Sequence, residues 1–390
     1  MNPIAPHPPV RVTLVTHYFP AHRGGVEAVA SEIASRLAAS GAAVITWYAS
    51  DTDPPPKDAP GLRCAPVRAC NFAERRMGFP FPLWSLAGLA RVWRSVHECD
   101  VVHLHDCLYL PNVFAWAAAV IARRPVVITQ HVGHIPFRNP LLRTIHAGAN
   151  RLLGKLLLAS ASRTVFVSEA VLRYFERFVR FHRPPLRLAN GVDAAIFRPA
   201  DERERAALRA RLGDDANRPL LLFAGRFVEK KGLRLLHRLA QEFPHVHWIF
   251  AGWGPLDPSQ WNLANVSVRG NLDQAQLAPF YQAADLLVLP SVGEGFPLVV
   301  QEAMACGTPA LVGEETAAGC PEARDLLLRE PLGGDDAASR WRTRLESLLG
   351  RNDTLRLLRP RVADFAHANW SWDRTAERYG EILRNAVKSR

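Results

Sequence analysis

The chain has 390 residues, 48% of them hydrophobic, enough for two ordinary domains with cores of their own. Its net charge is +11, and with only five lysines nearly all the cationic charge is arginine, a balance that suits an anionic partner without choosing among phosphorylated substrates, anionic membranes and nucleic acid. Six cysteines (Cys64, Cys70, Cys99, Cys107, Cys306, Cys320) form no Cys-x-x-Cys pair, which argues against a zinc site or disulfide framework, and the longest apolar run, residues 113–121, is far short of the roughly 20 residues that cross a bilayer.

The first nine residues lack the charged and apolar regions of a signal peptide, so a cytoplasmic protein is expected, soluble or peripheral on the inner face of the membrane. Residues 11–16 read as a short buried strand leading to Gly24-Gly25. Val26, Val29, Ile33 and Leu37 then recur at helical spacing, and Gly41 stops that helix. Further buried strands are expected at 43–48, 101–104, 126–129 and 164–167, with helical stretches between later ones. A second series begins at 220–224 and continues at 247–251, 265–268, 286–289 and 310–312. Alternation of this kind predicts an α/β chain of right-handed βαβ units on parallel sheets. The expected domains are 1–194 and 195–369, with the boundary near 193–199, followed by a C-terminal helix over 370–390. Ligands would bind at the carboxyl ends of the strands, in the cleft between the two domains.

Several loops after strands carry chemistry. At Gly24-Gly25 the missing side chains let backbone N–H groups approach a phosphate at a helix start, while Glu27 complements the helix dipole. His103 and His105 alternate onto one face of a strand. A metal reading of that pair lacks third and fourth ligands at a fixed spacing. Gln130-His131 follows the strand 126–129. Arg226 and Lys231, in Gly225-Arg226-Phe227-Val228-Glu229-Lys230-Lys231-Gly232, supply a bidentate fork and a point charge suited to a pyrophosphate. In Ser291-Val292-Gly293-Glu294-Gly295-Phe296-Pro297-Leu298-Val299-Val300-Gln301-Glu302, two glycines make a tight turn and Pro297 suits the first helical turn. Glu294 and Glu302 should then stand roughly 8–12 Å apart at about 1.5 Å per helical residue, the span from a sugar ring to a ribose across a diphosphate.

The last segment resembles the E-x7-E signature of the retaining glycosyltransferases of family 4, which have the GT-B fold of two Rossmann-like domains facing across a cleft. Arg226 and Lys231 match that family's G-R-x4-K-G element. Gly24-Gly25 resembles its Gly-Gly loop, Ala251-Gly252-Trp253-Gly254-Pro255 its Gly-x-Gly-Pro turn, and Asn190-Gly191-Val192-Asp193 its segment before the linker. Val268-Arg269-Gly270 looks like the segment whose backbone meets the nucleobase, and Tyr281-Gln282-Ala283-Ala284-Asp285 is a further match. The resemblance implies transfer from a nucleoside diphosphate sugar, UDP- or GDP-linked, with retention and without a divalent metal. Arg226 and Lys231 would hold the diphosphate and stabilise the leaving nucleotide. Glu302 would accept from the ribose and Glu294 from the sugar, with Gly252, Arg269, Gly295, Phe296, Pro297 and Leu298 lining the donor site. His131 would hydrogen-bond the transferred sugar, with His134 its rival for the role, and His103 and His105 would lie on the acceptor side. Trp370-Ser371-Trp372 resembles the start of a final helix that returns to the N-terminal domain.

The acceptor is expected to be a glycan or lipid-linked molecule. Residues 75–84 and the stripe Leu83, Leu86, Ala90 and Trp93 with Arg91 and Arg94 read either as a surface for an anionic membrane or as an amphipathic helix packed on its own sheet. Three alternatives stand beside transfer. One is a catalytically inactive GT-B scaffold that binds nucleotide sugar, against which the intact Arg226, Lys231, Glu294 and Glu302 argue. Another is a GT-B sugar-nucleotide epimerase. The third, a nucleic-acid binder, lacks a recognition module, and its arginines are scattered.

Overall fold

The structure is a computed structural model describing residues 8–22, 24–71, 82–133, 139–213, 218–270, 272–350 and 352–389. Residues 75–81 and His134, named above, lie outside them. The chain divides into two compact units: Met1–Asn190 with Trp372–Arg390, and Gly191–Ser371.

The first unit is built from β1 (Val10–Val15), β2 (Ala43–Ser50), β3 (Leu62–Val67), the short hairpin of β4 (Ala69–Cys70) with β5 (Leu83–Trp84), β6 (Val101–His105), β7 (Val126–Gln130), β8 (Arg163–Phe166) and β9 (Leu186–Arg187). Seven of these form one sheet, ordered β3-β2-β1-β6-β7-β8-β9, with every pairing parallel. All residues of β6 and β7 are buried, as expected where helices cover both faces of a parallel sheet.

The second unit holds β10 (Leu220–Ala224), β11 (His247–Ala251), β12 (Val266–Arg269), β13 (Leu286–Leu289), β14 (Ala310–Gly313) and β15 (Leu328–Glu330), ordered β12-β11-β10-β13-β14-β15 and again wholly parallel. Strand order reverses between β1 and β6 in one sheet and between β10 and β13 in the other. At such a point the connections leave to opposite sides and open a crevice outside the carboxyl strand ends, where ligands of this architecture sit.

The central strands fall within a residue or two of the sequence expectation. Strands β3, β9 and β15 were not expected, and all three are sheet edges. An edge strand has a neighbour on one side only and needs no continuous apolar run. β3 even tolerates Pro66, whose missing N–H would break an interior ladder. Pro297 is also displaced: it caps the helix Leu298–Ala305 instead of lying in its first turn, so its ψ of 135° is extended.

At the C-terminus the helix Asn352–Asn369 ends before Trp370, and Val192 N donates to the Trp370 carbonyl at 3.3 Å within the second unit. The next helix, Trp372–Lys388, belongs to the first unit and packs on the helix Gly25–Ala39, where Arg36 Nε meets Asp373 Oδ1 at 2.9 Å. The helix Leu86–Glu98 turns Gly88, Val92 and Val96 inward and leaves Leu83, Leu86, Ala90, Arg91, Trp93 and Arg94 exposed, so the stripe read from the sequence faces away from the sheet.

Candidate functional site

In the second unit, the loops leaving β10, β11 and β13 are tied together before any side chain is considered. Phe227 N donates to Trp253 O at 2.7 Å, Gly252 N to Arg269 O at 2.8 Å, and Val292 N to Lys230 O at 2.9 Å. The approach of the first two loops depends on Gly252. Its φ is +155°, and a Cβ built there would stand 1.9 Å from the Gly225 carbonyl oxygen. Gly252→Ala is therefore expected to cost about 3 kcal/mol through overpacking against backbone that cannot swing away. Urea unfolding would measure it, and a loss under about 1 kcal/mol would mean the two loops do not depend on each other.

These loops aim the charged residues. Lys231 Nζ lies 2.7 Å from Glu294 Oε2, with both side chains nearly buried, and Lys230 Nζ lies 3.4 Å from Oε1. Burial alone would raise the Glu294 carboxyl, but the Lys231 and Lys230 ammonium groups outweigh it and hold the group below its ordinary range. Glu294 is thus a carboxylate at neutral pH. Arg226 is exposed and stands over the Trp253 ring, its guanidinium carbon 4.8 Å from the ring centre. Lys230 and Trp253 were assigned no role from the sequence.

Glu302 lies in the helix Leu298–Ala305 and is buried, its Oε2 accepting from the Tyr281 hydroxyl at 2.9 Å. Burial pushes this carboxyl up to about 7, with the Tyr281 and Gln274 hydrogen bonds opposing. The two glutamates therefore differ in kind: one fixed as an anion, the other poised to titrate near neutrality. Gly295 and Phe296 lie between them, and Phe296 is buried against Trp370, ring centres 5.5 Å apart. Arg269 turns its guanidinium back onto the Val268 carbonyl at 3.0 Å.

In the first unit, Gly24 caps the helix Gly25–Ala39 and Gly25 is its first residue, while the buried Glu27 carboxylate folds back over Gly24. At the ends of β6 and β7 the sequence-predicted histidines meet. His105 Nδ1 is 2.9 Å from His131 Nε2, and His103 Nε2 is 2.9 Å from Thr129 Oγ1, which donates to the Tyr379 hydroxyl at 3.1 Å. All three rings are buried, and burial lowers the pKa of His103 and of His131 to about 3 and that of His105 well below its ordinary range. They are neutral imidazoles, suited to sharing hydrogen bonds and unsuited to carrying charge. Among the described residues no group of three His, Cys, Asp or Glu side chains could hold a metal ion.

Asp106 organises this cluster, a role that no residue spacing announces. Its φ is +65°, a left-handed conformation that aspartate adopts more readily than most residues. Asn112 Nδ2 donates to the carbonyls of His105 and Asp106, fixing the turn. Asp106 Oδ1 then accepts from Gln130 Nε2 at 2.8 Å, His131 N at 3.0 Å and Val132 N at 3.2 Å. Its Oδ2 is buried without a partner, and burial raises the carboxyl to about 7.

Comparison with known proteins agrees with both halves of this architecture. Residues 218–340 match the family model of glycosyl transferases group 1, and residues 23–196 match that of glycosyltransferase family 4. The D-inositol 3-phosphate glycosyltransferase of Xylanimonas cellulosilytica is 30% identical, covering 94% of this chain and 93% of its own. That of Thermobispora bispora is 30% identical over 94% and 90%. Among solved structures, sucrose-phosphate synthase from Thermosynechococcus elongatus superimposes with a TM-score of 0.78 at 19% identity, covering 98% of this chain and all of that one. Anabaena HepE in complex with UDP-glucose gives 0.73 at 18%, covering 96% of this chain and all of that one.

Proposed function

The chain belongs to glycosyltransferase family 4, with the GT-B fold, and from that premise we propose that it moves a hexose-type sugar, with retention, from a UDP- or GDP-sugar to a hydroxyl of a lipid-linked or cell-envelope glycan acceptor. The observation that carries the reading is the pairing at the β13 strand end: a fixed carboxylate, Glu294, and a titratable one, Glu302, on either side of the start of a helix, with Lys231 and Arg226 on the adjoining loop.

Each residue type suits its part. Arg226, Lys231 and the backbone N–H groups of Leu298 and Val299 after the Pro297 cap offset the diphosphate, so that charge building on the leaving group meets preorganised cations and dipoles. The protein's own groups do this in our reading, and transfer proceeds without a divalent ion. Glu302 accepts from the ribose hydroxyls, and Glu294 orients the sugar through its hydroxyls. The Gly252 and Arg269 segments and Phe296 frame the base and diphosphate, and Gly24-Gly25 gives a backbone that a phosphate can approach. Neutral His131 donates to or accepts from a sugar hydroxyl, backed by His105 and held by Asp106, with His103 behind them on the acceptor side. A second reading of the acceptor, a soluble phosphorylated cyclitol, is favoured by the name of the two relatives, D-inositol 3-phosphate glycosyltransferase.

Thermal unfolding with UDP, GDP, ADP and dTDP, and with their sugar conjugates, tests the donor. Ligand at about 100 times its Kd adds roughly 2.7 kcal/mol of stability, a clear Tm rise. One responsive nucleotide sets the donor class and the sugars to assay against lipid-linked and cyclitol phosphate acceptors. Product analysis separates transfer from epimerisation. No response to any nucleotide or conjugate would sink the donor reading, and binding without turnover would favour the scaffold.

A further inference from the structure

One surface of the first unit is left without a role. The helices Pro140–Ala149 and Lys155–Ser160, joined by a π-helical turn at Asn150–Gly154, turn Asn150, Gly154, Leu157 and Leu158 inward. Outward they present Leu141 (65% exposed), Leu142, Ile145 (56%), Leu152 (75%), Leu153 and Leu156 (50%). Positions 141, 145, 152 and 156 recur at helical spacing, so these six side chains form one stripe along the outer face. A soluble surface helix does not normally offer six large aliphatic groups in a row to water. The neighbouring helix Leu110–Ile121 is tied to its end by Trp116 Nε1 donating to Ser160 Oγ at 2.9 Å, and it adds exposed Val120 and Ile121.

Charge decides what covers the stripe. Arg143, Arg151 and Lys155 are exposed on the same helical stretch. Between Asp106 and Glu169 the sequence holds seven Arg or Lys residues and no Asp or Glu, so this run alone carries +7 of the chain's +11. An apolar face that carries Arg143, Arg151 and Lys155 on the same helical stretch matches a bilayer with anionic headgroups, apolar side chains entering the acyl boundary and cations at the phosphates.

We propose that the outer face of residues 141–156 is a membrane-docking surface for anionic lipid. The proposal rests on the membrane-linked reading of the acceptor for its purpose, and its binding can be tested separately. It places the docking face on a different element from the Leu83–Trp93 stripe.

Co-sedimentation of the full chain with phosphatidylglycerol-containing and pure phosphatidylcholine vesicles provides the test. Preferential binding to the anionic vesicles is expected. Leu152→Glu/Leu156→Glu, both at exposed positions, should lower partitioning at least tenfold. Arg151→Gln/Lys155→Gln should lower it about fivefold per charge and flatten its salt dependence. Nucleotide-induced Tm shifts should stay unchanged in both variants, which confirms folding and a working donor site. Absence of vesicle binding at low salt overturns the proposal. So does loss of binding only in Leu86→Glu/Trp93→Glu, or a Leu152/Leu156 variant that alters the oligomeric state while binding vesicles as before. Vesicle binding that depends on the stripe, with transfer only to soluble acceptors, would uphold the surface and refute the lipid-linked acceptor.

Discussion

Lys231→Met is expected to lower kcat/KM by about 10²–10³-fold and to cost about 3 kcal/mol of stability. Two losses combine in one substitution. The first is electrostatic: the ammonium that offsets the leaving diphosphate is gone, and a preorganised charge of that kind is worth most where water is excluded. The second is structural, because Glu294 keeps its nearly buried carboxylate while its partner at 2.7 Å disappears. Lys230, 3.4 Å away and 46% exposed, is too hydrated to replace it. In the native chain the depressed Glu294 contributes stability above its unfolded pKa, and that contribution is lost as pH falls through the folded value. The variant reverses the sign, since an unpaired buried carboxyl is raised, so its deficit should be larger at pH 8 than at pH 5. Lys231→Met/Glu294→Gln should recover most of the stability and none of the activity. Recovery of both would assign Lys231 to the fold alone, and a single variant within threefold of native kcat/KM would remove it from the transfer step.

Central strands such as 101–105 and 286–289 were legible because burial on both faces demands continuous apolar runs. The edges β3, β9 and β15 were not, because pairing on one side leaves no such signature. Arg226, Lys231, Glu294 and Glu302 could be named because strand–loop–helix spacing fixes where they emerge. Their partners were hidden for a physical reason. That Lys231 faces Glu294, that Tyr281 reaches Glu302, and that Trp253 lies under Arg226 are contacts over 63, 21 and 27 residues of sequence respectively. The sheet order β11-β10-β13 brings together the loops of the first and last pairs, and the second joins the helices before and after β13. Asp106 is the extreme case: its role follows from a backbone angle of +65°, and no residue pattern announces a left-handed aspartate.

Nucleotide affinity is expected to rise with pH through about 7, with Glu302 as the group responsible. Burial raises this carboxyl from 4.5 to about 7, which corresponds to roughly 3 kcal/mol by which its ionised form is disfavoured in the folded chain. The folded protein therefore binds this proton more tightly than the unfolded chain does. The group's contribution to stability is present below pH 4.5 and lost as pH rises through 7. Ribose hydroxyls, as donors, bond more strongly to the ionised form, so the ligand favours loss of the proton. Kd should fall about tenfold per unit well below pH 7 and level off above pH 8. Glu302→Gln should abolish that slope and bind about 1–3 kcal/mol more weakly at pH 8, while unfolding at a higher temperature there than the native chain. Tyr281→Phe removes the hydroxyl that holds Glu302 down, and the midpoint of the binding profile should move upward. Because burial also raises Asp106 to about 7, a stability profile alone would mix the two carboxyls. Calorimetric titration of the nucleotide in two buffers of different ionisation enthalpy, run on the native chain and on Glu302→Gln, separates the two carboxyls. Proton release near pH 6 that vanishes in Glu302→Gln would tie the ribose to this residue, and release that persists in the variant would move the titrating group elsewhere.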